Sequence, residues 1–137
     1  MTDPQSPGSP SGPLADPDLV ALAHQMLDLA REGGTERLTA YVDAGVPVDL
    51  TDASGNTLLM LAAYHGHAAL VTALAGRGAD VDRLNDRGQS PLAGAVFKGE
   101  DDVVQALLAA GADPDAGHPT ARATAVMFER PDLLDGA

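Results

Sequence analysis

Residues 52–84 read DASGNTLLMLAAYHGHAALVTALAGRGADVDRL, and residues 85–117 read NDRGQSPLAGAVFKGEDDVVQALLAAGADPDAG. Laid over one another at an offset of 33, the two stretches pair Gly55 with Gly88, Thr57 with Ser90, Leu59 with Leu92, Ala62 with Ala95 and Gly66 with Gly99. The register holds to the end of the unit: Val71 meets Val104, Leu74 meets Leu107, Gly78-Ala79-Asp80 returns as Gly111-Ala112-Asp113, and Asp82 returns as Asp115. A fixed period of this size predicts helical units that stack on their neighbours, because none is large enough to bury its own apolar face.

Each unit can be read from its residues. Thr57 and Ser90 can offer a hydroxyl to unpaired N–H groups at a helix start, and Pro91 sits where a missing N–H costs nothing. Leu59, Ala62 and Ala63 recur on one helix face, and the alanines let neighbouring helices approach closely. Gly66 and Gly99 are expected to end those helices, since a residue without Cβ reaches left-handed backbone angles cheaply. A second apolar face follows in Leu70, Val71 and Leu74, and again in Val103, Val104, Leu107 and Leu108; Gly78 and Gly111 stop it. Residues 79–88 are rich in Asp, Asn and Gly and predict an extended turn that projects sideways.

These motifs, in this order, resemble the ankyrin repeat family. The family's D-x-x-G start matches Asp52 to Gly55, its T-P-L-H helix opening matches Thr57 to Met60, and its A-A pair matches Ala62-Ala63. Its G-H turn falls on Gly66-His67 and its G-A-D-V-N ending on Gly78 to Asp82. Met60 and Ala93 stand where the family carries the T-P-L-H histidine, a departure that removes a hydrogen-bond relay between units. The fold implied is an all-α solenoid of stacked helix-turn-helix units with projecting turns, about four helix pairs including terminal caps.

A weaker copy fills residues 16–51: Ala30 falls under Ala63, Gly33 under Gly66, Leu38 under Val71, Gly45 under Gly78 and Val48-Asp49 under Val81-Asp82. It lacks the D-x-x-G start, and a helix is expected to begin at Asp16-Pro17, with Asp16 as N-cap. Residues 118–137 return the pattern with three residues missing, placing Ala125 to Phe128 under Ala95 to Lys98 and Leu133-Leu134 under Val103-Val104. Both ends read as caps, whose outer sides must differ from the interior because they face water. Residues 1–15, mostly Pro, Gly and Ser, hold too little apolar surface to offset ordering entropy and read as a disordered tail.

Composition narrows the function. With 8 Lys and Arg against 20 Asp and Glu, the net charge is −12, which opposes nucleic acid, whose binding is built from cationic phosphate contacts. No apolar run approaches the roughly 20 residues of a membrane helix, and no basic start with an apolar run marks a signal peptide. The absence of Cys excludes disulfides and thiolate metal sites and suits the cytoplasm. A single Lys beside several Arg, with abundant Ala, points to a bacterial source.

No catalytic constellation is present. Ser54, Ser90, His24 and His118 lack triad-like spacing or a nucleophile elbow, and the acidic run Glu100 to Asp102 suits the start of a second helix. The Asp80-x-Asp82 and Asp113-x-Asp115 pairs lack the spacing of a calcium loop and fit turn formation. His65 and His67 could chelate a transition metal, but their counterparts are Lys98 and Glu100, so no second half-site exists. The resemblance implies instead that His67 serves local hydrogen bonding at its turn. No cofactor is expected.

What the resemblance implies is a non-catalytic, monomeric module that binds another protein through a concave face lined by the turns and the first helices. Mapped onto this chain, the turn positions are Ala53, Ser54 and Asn56, then Asp86, Arg87 and Gln89. The helix positions are Tyr64-His65 and Phe97-Lys98; Leu84 closes the first turn, and Arg31-Glu32 and Met127-Phe128 extend the row into the caps. Only four aromatic residues occur, and Tyr64 and Phe97 hold one repeat position, which favours them as anchors because large rings bury much area at little rotamer cost. Thr72 and Gln105, on the second helices, are expected to face away. The alternatives are an accessory or stabilising factor for a partner enzyme, a metal- or small-ligand-binding regulator acting through His65 and His67, and a self-associating structural unit.

Overall fold

Three hydroxyls open the first helices. Thr57 Oγ1 accepts from the Met60 N–H at 3.0 Å, Ser90 Oγ from the Ala93 N–H at 3.1 Å, and Thr120 Oγ1 from the Ala123 N–H at 3.0 Å. Thr57 and Ser90 are buried there, so the caps also satisfy hydroxyls that would otherwise be costly to desolvate. The structure, a computed structural model, describes residues 17–135; the expected tail and the Asp16 cap lie outside them.

Among the described residues, seven α-helices follow in order: α1 Pro17–Glu32, α2 Thr35–Asp43, α3 Leu58–Tyr64, α4 Ala68–Ala75, α5 Pro91–Lys98, α6 Asp101–Ala109 and α7 Ala121–Met127, then a 3-10 helix Pro131–Leu134. The first helices stack α1 on α3, α3 on α5 and α5 on α7, while α2, α4, α6 and the 3-10 helix form the second row. This is the expected all-α solenoid of four helix pairs. Among the described residues, no helix is long and apolar enough to cross a membrane.

Its core is one continuous cluster running between the rows. Leu59, Ala62, Ala63, Leu70, Val71 and Leu74 in one unit, and Leu92, Ala95, Val103, Val104 and Leu107 in the next, are buried. The helices α1 and α2 add Met26, Ala30 and Leu38, and α7 and the 3-10 helix add Ala121, Ala125, Leu133 and Leu134. Interior packing of this kind supplies most of the stability of helices as short as seven to nine residues.

Between the rows, the chain turns at a corner that repeats through Gly33, Gly66 and Gly99 with φ of 77°, 83° and 71°. The fourth corner is Glu129, a non-glycine residue at φ 58°, so its Cβ carries a strain the glycines avoid. Second helices stop at Gly45, Gly78 and Gly111, all left-handed as well.

Without the T-P-L-H histidine, the units are tied by other groups. Asp80 N–H donates to Asp49 Oδ1 at 3.1 Å and Asp113 N–H to Asp82 Oδ1 at 2.8 Å, making a carboxylate ladder along the solenoid. Asp80 and Asp113 in turn accept from the N–H groups of Asp82 and Asp115, so these pairs serve turns. Arg77 grips Asp43 of the preceding unit at 2.8 and 3.1 Å and holds that carboxyl below its ordinary pKa, chiefly through the hydrogen bond. His67 departs from expectation: its Nε2 lies 2.7 Å from the Arg31 carbonyl oxygen, so it links two units instead of closing its own turn. Gln105, exposed on α6 and outside the groove as expected, donates its Nε2 to the Leu133 carbonyl at 3.2 Å and ties α6 to the 3-10 helix. Thr72 is exposed as expected.

Candidate functional site

The projecting turns are built by paired side-chain acceptors. Asp52 Oδ1 receives the N–H groups of Ser54 and Asn56, each at 2.9 Å, and Asn85 Oδ1 receives those of Arg87 and Gln89 at 2.9 and 3.0 Å. Burial tends to raise the Asp52 pKa, but the bonds from Asn56 and Ser54, with Arg31 nearby, hold it below 3.8. Adjacent turns are stitched together as Asp86 N–H donates to the Ser54 carbonyl at 2.9 Å and Asn85 Nδ2 to Asn56 Oδ1 at 2.9 Å. A rigid row of turns thus forms one wall of a groove whose floor is α3 and α5.

The groove holds about 280 Å³ and is lined by Asn56, Met60, Leu61 and Tyr64 from one unit and by Asn85, Arg87, Gln89, Ala93, Gly94 and Phe97 from the next, with Pro119 and Thr124 closing one end. Its depth comes from a size change between the repeats. The offset of 33 puts Ala93 where the preceding unit has Met60, and Gly94 where it has Leu61. A Cβ on Gly94 would stand 3.7 Å from Tyr64 Cδ1 and 4.0 Å from Met60 Sδ, so the glycine leaves open the space that a side chain would enter.

Of the expected partner-binding residues, the groove brings together Asn56, Tyr64, Arg87, Gln89 and Phe97. Three more stand at its rim through the aromatic rings. Lys98 Nζ lies 4.7 Å from the centre of the Tyr64 ring, His65 meets that ring edge-on at 5.7 Å, and Phe128 meets Phe97 edge-on at 5.6 Å. Tyr64, Phe97 and Phe128 are 41%, 59% and 46% exposed, so the rings are available on the surface. Ser54 sits at the turn tip with its carbonyl already bonded.

Two residues fall elsewhere. Arg31 pairs with Asp28 at 2.9 Å and Asp52 at 3.9 Å and lines a separate hollow between α1 and residues 50–53. Leu84, half exposed, lies beside Gly117 rather than in the groove. Met60 and Ala93 read in the sequence only as departures from the repeat pattern and Gly94 gave no signal there, yet these residues make the floor.

The two histidines divide their roles. His67 is engaged with α1, whereas His65 is largely exposed; the partial burial of its ring, then the neighbouring His67 and Lys98, hold its pKa below 6.5. Among the described residues, no three His, Asp or Glu side chains gather as a metal site.

A family model of ankyrin repeats, in three copies, matches residues 26–118. An ankyrin repeat protein of Pseudomonas aeruginosa is 44% identical over 59 residues, a stretch that is 43% of this chain and 34% of the relative. The matched stretch therefore spans about a third of that relative's length. With more than half of the chain covered by the family model and the stacked helix pairs in place, the chain belongs to the ankyrin repeat family.

Proposed function

We propose that this chain is a non-catalytic module that binds a partner protein in the groove over α3 and α5, with Tyr64 and Phe97 as its anchors. Ankyrin repeats generally mediate protein–protein interactions and are generally non-catalytic. One observation carries the choice of face: the exposed rings of Tyr64 and Phe97 flank a preformed groove with a small-residue floor. A groove built on hydrogen-bonded turns and short packed helices needs little reordering on binding, which lowers the entropic cost of association. Aromatic rings beside such a recess supply the anchoring that most interfaces concentrate in a few residues.

Site-directed photo-cross-linking tests the reading. A photoreactive amino acid at position 97 should capture a discrete partner from the native cytosol, while the same group at position 72 on the second-helix row should not. Equal capture from both positions, by the same protein, would move the interface off the groove.

A further inference from the structure

We propose that the partner segment held in this groove carries a carboxylate beside its apolar anchor; this deepens the groove reading above and rests on it. The side-chain acceptors of the groove wall are already used. Asn56 Oδ1 and Gln89 Oε1 both accept from Asn85 Nδ2, and Asn85 Oδ1 accepts two backbone N–H groups. On the wall, the groups left to meet a ligand are donors, Gln89 Nε2 and the Arg87 guanidinium; Lys98 Nζ stands at the rim beside the Tyr64 ring, whose hydroxyl can donate as well as accept. A ligand rich in acceptors satisfies them, and a charged acceptor makes the stronger bonds.

Charge placement agrees. In a protein of net charge −12, no Asp or Glu lines the groove among the described residues. The acids nearest the two cations in sequence, Asp86 and Glu100, sit over Gly55 and Gly66 and neither lines the groove. Among the described residues, Arg31, Arg77, Arg122 and Arg130 each face a carboxylate within 4.0 Å, whereas Arg87 and Lys98, like Arg37 and Arg83 outside the groove, have no such pair. The carboxylate behind the wall, Asp52, is engaged by Asn56 Nδ2 at 3.1 Å and by two backbone N–H groups, and salt weakens the repulsion from more distant acids, with a Debye length of about 8 Å at physiological ionic strength. At contact range the two cations dominate.

Phage display of a random 12-residue peptide library on the full-length chain tests this. Peptides whose binding is lost with Phe97→Ala should be enriched in Asp or Glu relative to the unselected library. Changing that acid to its amide in a synthetic copy should weaken binding about fivefold, and the double variant R87Q/K98Q should erase the difference. Groove-dependent peptides enriched in Lys or Arg, or indifferent to the acid-to-amide change, overturn the carboxylate and leave the groove standing. Selected peptides indifferent to both Phe97→Ala and Tyr64→Ala overturn both.

Discussion

Gly94→Ala separates what the groove needs from what the fold needs. Gly94 lies inside α5, where glycine costs about 0.5–1 kcal/mol relative to alanine through backbone entropy. Its φ is not in the left-handed region, and the new methyl would meet Tyr64 Cδ1 at 3.7 Å and Met60 Sδ at 4.0 Å, ordinary van der Waals contact. Nothing in the site therefore opposes the gain, and the variant should be more stable by about 0.4–1 kcal/mol. The 119 described residues imply an unfolding entropy of about 250 cal/mol/K, so Tm should rise by about 2–4 °C. The same methyl intrudes on the groove floor, so partner affinity should fall while Tm rises. Differential scanning calorimetry reads the first effect and titration the second. A lower Tm would show that the floor is already filled, and the account of the groove as a recess left by a small residue would fail.

Other substitutions probe the scaffold. Leu74→Ala and Leu107→Ala, both in fully buried positions, should each cost about 2–5 kcal/mol in urea denaturation; near-native curves for both would contradict the repeat register. Glu129→Gly should stabilise by about 1 kcal/mol, because glycine takes the left-handed corner that Gly99 occupies without strain, and an unchanged midpoint would mean that the Glu129 corner is relaxed. The stabilisation from the Asp52 carboxylate, whose folded pKa is depressed, is present above its ordinary value of 3.8 and is lost as pH falls through the folded pKa below it. Asp52→Asn should flatten that acid limb, and an unaltered pH profile would show that the turn does not depend on the charge.

The period of 33 made the stack legible because it repeats the residues that decide each corner: hydroxyl caps at Thr57 and Ser90, glycines at Gly66 and Gly99, and leucines at Leu74 and Leu107. The last helix pair was readable by sliding the frame three residues, and the same shift places Thr120, which caps α7, under Ser90, which caps α5. Side-chain direction was harder to read. Repeat position placed Arg31 and Leu84 on the row with Tyr64 and Phe97, but Arg31 is drawn to Asp28 and Asp52, and Leu84 lies beside Gly117. The groove depends on the difference between units, Leu61 against Gly94, and a pattern built on sameness does not display it. Likewise, the position of His67 in its turn gave no sign that its ring reaches α1, 36 residues earlier in the chain.

Calorimetric titration of the cross-linked partner, once purified, against Phe97→Ala with Thr72→Ala as reference tests the central claim most directly. Phe97 is 59% exposed and Thr72 is also on the surface, so circular dichroism should find both variants folded. The account predicts that Phe97→Ala loses about 2 kcal/mol of binding free energy, roughly thirtyfold in Kd, and that Thr72→Ala stays close to wild type. Wild-type affinity in Phe97→Ala, with the fold intact, would contradict it.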